Sequence, residues 1–159
     1  MRIGSLSILL GAILIGACDS SAPPVAVAHF QPIVDTKQLM TWVIEPNADV
    51  IWGAVGTIIT EQGSEELAPK SDAEWNALRN AAVTIAESGN LLMMDGHARD
   101  RNDWPAKSQN MIAIAKTVMQ AIEAKDVDAL FTAGGELYES CVACHRVYSL
   151  KQPATQSPQ

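Results

Sequence analysis

The sequence predicts an all-α chain arranged as an antiparallel up-down-up-down four-helix bundle, on three observations. Four segments carry apolar side chains at three- and four-residue steps, no run alternates with a period of two, and the connections are mostly too short for crossovers. A length of 159 residues allows one compact domain, and aromatic side chains make up only 5% of it, which leaves room in the core for something other than protein.

The chain opens with Arg2 and an apolar run from Ile3 to Ala17, interrupted by Ser5 and Ser7. That run is too short to stay in a bilayer as a spanning helix, so residues 1–17 read as an export signal. Its end, Leu14-Ile15-Gly16-Ala17-Cys18, places small residues directly before a cysteine. It resembles the lipobox of bacterial lipoproteins, which implies lipidation of Cys18 and a periplasmic chain held to a bacterial membrane by that lipid. The stretch 18–34, with Pro23, Pro24 and Pro32 and no helical period, reads as a tether.

The first helix should begin at Asp35, an N-cap acid three residues before Gln38, with Val34 placed to staple onto Leu39. Met40, Val43, Ile44, Val50, Ile51, Val55 and Ile58 continue at helical spacing. Pro46 conflicts with them, because it removes a backbone donor, so one bent segment over about 36–59 is expected, kinked or split near Glu45. Residues 61–70 hold Gly63 and Pro69 and read as a loop. Ser71-Asp72-Ala73-Glu74 is a capping box. It opens a second helix with the stripe Trp75, Leu78, Ala82, Ile85, Gly89 and Leu92, stopped at Asp95-Gly96. The third helix starts at Asp103-Trp104-Pro105, with proline in the first turn where its missing donor is harmless, and carries Met111, Ala115, Val118 and Ile122. After a turn at Lys125-Asp126 the fourth runs from Val127 to about Ser149. The bundle therefore covers 35–150, and 151–159 is a polar tail.

Charge narrows the partners. Eleven Lys and Arg stand against 18 Asp and Glu, for a net charge of −7, with no basic run of the kind phosphate neutralisation requires. This argues against a nucleic-acid surface, and an acidic face suggests a partner with a basic docking face.

The chemistry lies at Cys141-Val142-Ala143-Cys144-His145. Covalent haem attachment needs two thiols to reach the two vinyl groups of one porphyrin, and an imidazole placed to bind iron; Cys-x-x-Cys-His supplies both. On a helix Cys141, Cys144 and His145 share one face, together with Tyr138, Leu137 and Gly134. Bacterial c-type haem is attached outside the cytoplasm, so motif and export signal agree. Three other readings fit less well. A thioredoxin-like pair works at a helix N-terminus after a strand, whereas this pair ends a helix. Tetrahedral zinc wants four ligands, and the other histidines are His29 in the tether and His97 in a loop. A disulfide at this spacing is discouraged by helical geometry.

With these residues the chain resembles the class II c-type cytochromes, the cytochrome c prime family and its low-spin relatives. The resemblance covers about residues 33–150. Its most specific part is Cys141-x-x-Cys144-His145-x-x-Tyr148; Met40-Thr41-Trp42-Val43-Ile44-Glu45-Pro46 resembles a subgroup feature. The family usually has Arg or Lys after the aromatic residue, where this chain has Ser149. The resemblance implies one covalently attached haem c, thioethers from Cys141 and Cys144, His145 as proximal ligand, and often a homodimer through the first two helices.

In an up-down-up-down bundle Met40 and His145 both sit about 6 Å from the same end, so they can face each other across a haem. The low-spin relatives use a first-helix methionine in this way. Methionine opposite histidine raises the potential and closes the iron to ligands, which suits one-electron transfer between redox proteins and not enzymatic turnover. The rival is a five-coordinate haem protein that takes nitric oxide or carbon monoxide at a vacant position. Met93, Met94 and Met111 read as core filler, and His97 as solvated. Arg99 and Arg101 are candidate partners for haem propionates. Gly134 and Gly135 permit close approach of porphyrin or a neighbouring helix. Tyr138 and Tyr148 are candidates to flank the ring, and Trp42, Trp52, Trp75 and Trp104 read as packing residues.

Overall fold

The computed structural model describes residues 30–148. The expected export signal, Cys18, most of the expected tether, Ser149 and the expected tail lie outside them. The described chain is mostly helical, with four helices and one small two-stranded sheet.

The first helix comprises three pieces that follow one another directly: α1 (Thr36–Leu39), a π-helical turn (Met40–Ile44) and α2 (Glu45–Trp52). Its start is the expected capping box. Asp35 accepts from the Gln38 N–H at 2.8 Å, and the Gln38 side chain accepts from the Asp35 N–H at 3.0 Å. Such a cap contributes about 1 kcal/mol. The conflict at Pro46 is resolved by widening. Proline cannot donate to the Trp42 carbonyl, and its ring would press on it in a regular α-helix. The preceding turn opens so that the Glu45 N–H reaches Met40 O, five residues back, and Asn47 Nδ2 donates to Val43 O at 2.7 Å. The helix continues through the proline without a break.

It ends earlier than its apolar spacing predicts. After Gly53 the chain forms a hairpin, β1 (Gly56–Thr60) antiparallel to β2 (Gly63–Leu67), with Ile58 opposite Glu65 and Ile59 opposite Ser64. This corrects the expectation of a chain without strands. The run Thr57-Ile58-Ile59-Thr60 is β-branched throughout, which favours extended backbone. Gly63, at a φ of +139°, lets the chain turn back after Glu61-Gln62. Both faces of the hairpin lie in water, so no hydrophobic alternation announces it.

The other three helices are long and regular: α3 (Asp72–Leu92), α4 (Asp103–Ala124) and α5 (Val127–Tyr148). In the Ser71 capping box, Glu74 Oε2 accepts from both the Ser71 N–H and its hydroxyl. Lys125 ends α4 in the left-handed conformation, at a φ of 51°. α3 packs against α2 and α4, and α4 packs against α5. Gly89 sets the α3–α4 distance, since a Cβ there would stand 2.4 Å from Ile112 Cγ1 and 3.1 Å from Ser108 O. Gly134 lies beside Ile51 and Trp52, and Trp52 Nε1 donates to its carbonyl at 3.0 Å; a Cβ there would make only ordinary contacts, at 3.7 and 3.8 Å, so close approach does not require the glycine.

The core joins Leu39, Ile44 and Ile51 to Leu78, Ile85, Val118, Ile122, Leu130 and Leu137. Each such side chain contributes about 1.5–3 kcal/mol by leaving water. Of the four tryptophans, Trp75 and Trp104 are buried and Trp52 half-buried, but Trp42 is 64% exposed.

Candidate functional site

One apolar cavity of about 280 Å³ brings the chemistry together. Met40, Thr41, Ile44 and Glu45 line it from the first helix, Leu92 from α3, Lys107, Ser108 and Met111 from α4, and Ser140, Cys141, Cys144 and His145 from α5. Four residues singled out in the sequence, Met40, Cys141, Cys144 and His145, thus meet across 105 residues of chain. Met40 opens the π turn, so the widening that Pro46 imposes falls on the residue facing the α5 motif. Such turns recur at functional sites.

Met40, Cys141 and Cys144 are half-buried, and His145 is exposed at the edge of the cavity. The two cysteines are free thiols. Burial pushes both up from the ordinary thiol range, with the Lys107 charge opposing this at Cys144. Raised thiols are the opposite of the depressed pair that a thioredoxin-like reaction requires. Among the described residues no group of three or more His, Cys, Asp or Glu is placed to hold a metal ion between them. The four-ligand zinc arrangement therefore does not form around this pair in the described chain.

The cavity is framed by Trp104. Its Nε1 donates to Leu92 O at 2.6 Å, Ser108 Oγ donates to its carbonyl at 2.9 Å, and Tyr148 meets its ring edge-on at 4.8 Å. The end of α3, the start of α4 and the end of α5 are tied together beside the thiols. Tyr148 does not line the cavity; its hydroxyl donates to Asp100, and it closes the frame from outside. Burial and the Asp100 carboxylate both push its phenol up. Asp100 is held below the usual carboxylate value by that hydroxyl first, then by the Trp104 and Asn102 N–H groups.

Other expected site residues lie elsewhere. Arg99 is exposed and lines a separate cleft with Met93, Asp95 and Asp100. Tyr138 turns towards Trp52, ring centroids 5.7 Å apart. His97, expected in solvent, is only 3% exposed. The Thr36 hydroxyl donates to its carbonyl at 3.5 Å and lies 3.4 Å from its Nδ1, fastening the α3–α4 loop to the start of the first helix. Met111, read as filler, is a wall of the cavity, and Lys107 is a lining residue that local sequence did not mark, since a charge in the second turn of a helix reads as surface. No family model matches the chain, and no curated protein is similar to it.

Proposed function

We propose that this protein is a membrane-tethered periplasmic monohaem c-type cytochrome with an up-down-up-down four-helix bundle, carrying single electrons between redox partners, with His145 and Met40 as axial ligands. The observation that carries the proposal is the shared apolar cavity of Met40, Cys141, Cys144 and His145. Two thiols, an imidazole and a thioether around one apolar cavity are the donor set that would hold a covalently attached haem. Bound there, the haem supplies a one-electron iron couple.

Each residue has a task that follows from its place. Cys141 and Cys144 supply the thiols that attach the group and fix it to α5. His145, one residue beyond Cys144, supplies the imidazole. Met40 would supply a neutral thioether, a ligand that favours the reduced state and competes with gas binding. Ile44, Leu92 and Met111 keep water from the inner wall, which limits solvent reorganisation around a change of charge. Export and the lipid at Cys18 rest on residues 1–18 of the sequence, and the resemblance to the class II cytochromes supports the same reading.

The test begins with chain produced alongside haem-maturation machinery. Absorption that survives denaturation reports covalent haem; its absence sinks the cytochrome reading and favours a helical lipoprotein that binds a protein partner. The reduced wild type is expected to be low-spin and indifferent to carbon monoxide. Met40→Ala should turn it five-coordinate and responsive to carbon monoxide. A wild type that is already high-spin and shifts with carbon monoxide would transfer the protein to the gas-binding class.

A further inference from the structure

Among the described residues, Lys107 is the only lysine or arginine that lines the Met40–His145 cavity. It is half-buried on α4 and makes no hydrogen bond or ion pair with any described residue. Glu45 lines the same cavity but forms no ion pair with it. The other walls nearby are apolar: Ile44, Leu92 and Met111. An ammonium that makes no hydrogen bond or ion pair with the described residues, carried on a side chain that lines an apolar space, is complementary to an amphipathic occupant with an anionic end.

We infer that Lys107 is the cationic partner of a haem propionate, an inference that rests on the haem reading above and replaces Arg99 in that role. Arg99 opens onto a different cleft, where Asp95 and Asp100 already offer it carboxylates. Lys107 faces the cavity of the thiols, and its charge already acts on Cys144. Pairing would hold the acid edge of the tetrapyrrole at the first turns of α4. It would also leave Glu45 as the exposed negative group on the opposite wall.

Two measurements test this. Full-length chain prepared without haem attachment is titrated with protohaem and with its dimethyl ester, which lacks both carboxylate charges. Wild type should prefer the diacid by about tenfold, the size of one charge-assisted hydrogen bond. Lys107→Gln should abolish that preference, while Lys107→Arg and Arg99→Gln keep it. In the haem-loaded protein, Lys107→Gln should favour the oxidised state about tenfold, a fall of about 59 mV for a one-electron couple. Arg99→Gln should leave the potential in place. A Lys107→Gln protein that keeps the diacid preference or the potential overturns the inference while the haem reading stands. Failure of the haem reading looks different: neither tetrapyrrole binds and no haem survives denaturation, and both proposals then fall.

Discussion

The two ends of the molecule are built from the same helices and differ in how regular their backbone is and in how many polar groups they draw away from water. Where α2 meets α3, the chain leaves the core through a hairpin with both faces in water, beside an exposed ion pair between Lys125 and Asp72 at 2.6 Å. At the far ends of the same helices lie a π turn, a buried histidine, two half-buried thiols and a lysine without a partner. Irregular backbone and half-buried polar groups cost stability, so a chain keeps them where something else compensates. The contrast supports placing the proposed function at the Met40–His145 end.

Core truncation should separate the two ends most sharply. Leu137 is 0% exposed, in the turn of α5 before the thiols, and Leu137→Ala should cost about 2–5 kcal/mol in denaturant unfolding. Ile59, 81% exposed on the hairpin, should change stability by about 0.5 kcal/mol or less on replacement by Ala. Comparable losses at both sites would mean that the hairpin is covered in solution, and the contrast would fail.

Two glycines sharpen it further. Gly89→Ala drives a methyl into Ile112 and the Ser108 carbonyl, and Ser108 lines the cavity, so α3 and α4 must part. The expected cost is about 1–3 kcal/mol. Gly135 on α5 faces open space, and Gly135→Ala should stabilise by up to about 1 kcal/mol through helix propensity alone. Thermal melts of both variants decide it; a neutral Gly89→Ala would show that the α3–α4 contact yields without strain.

Much of this was legible because the sequence marks helix ends with local chemistry. Asp35, Ser71 and Lys125-Asp126 do so through caps and a turn that need only their neighbours. The meeting of Met40 with His145 was legible too, since connection lengths and helix rise bring their ends together. The hairpin was not, because Ile58 continues the helical spacing of Val55, and a strand solvated on both faces has no pattern to show. Nor was the π turn: proline predicts disruption but not its form, which depends on Asn47 and Glu45 finding carbonyls. His97 and Lys107 were misread or passed over because their environments come from residues far along the chain, Thr36 for one and the α5 motif for the other.

The smallest expected effects lie at the margins of pH, and they too distinguish the ends. Asp100 is depressed from its ordinary value of 3.8, so its stabilising contribution is complete above that pH and is lost as pH falls through the lower folded value. Tyr148 is raised from 10.0, so its contribution is complete below that pH and fades as pH rises past it. Asp72 is depressed by Lys125, first through their hydrogen bond, and shares the acid limb from the hairpin end. Thermal midpoints should therefore show Asp100→Asn below wild type at neutral pH and converging with it in acid. Tyr148→Phe should converge with wild type in base. Asp72→Asn should track wild type more closely throughout, because an exposed lysine–carboxylate pair contributes little and is screened by salt. A gap for Asp100→Asn that stays constant across pH would detach the Asp100–Tyr148 contact from stability, and leave Trp104 alone to hold the three helix ends around the thiols.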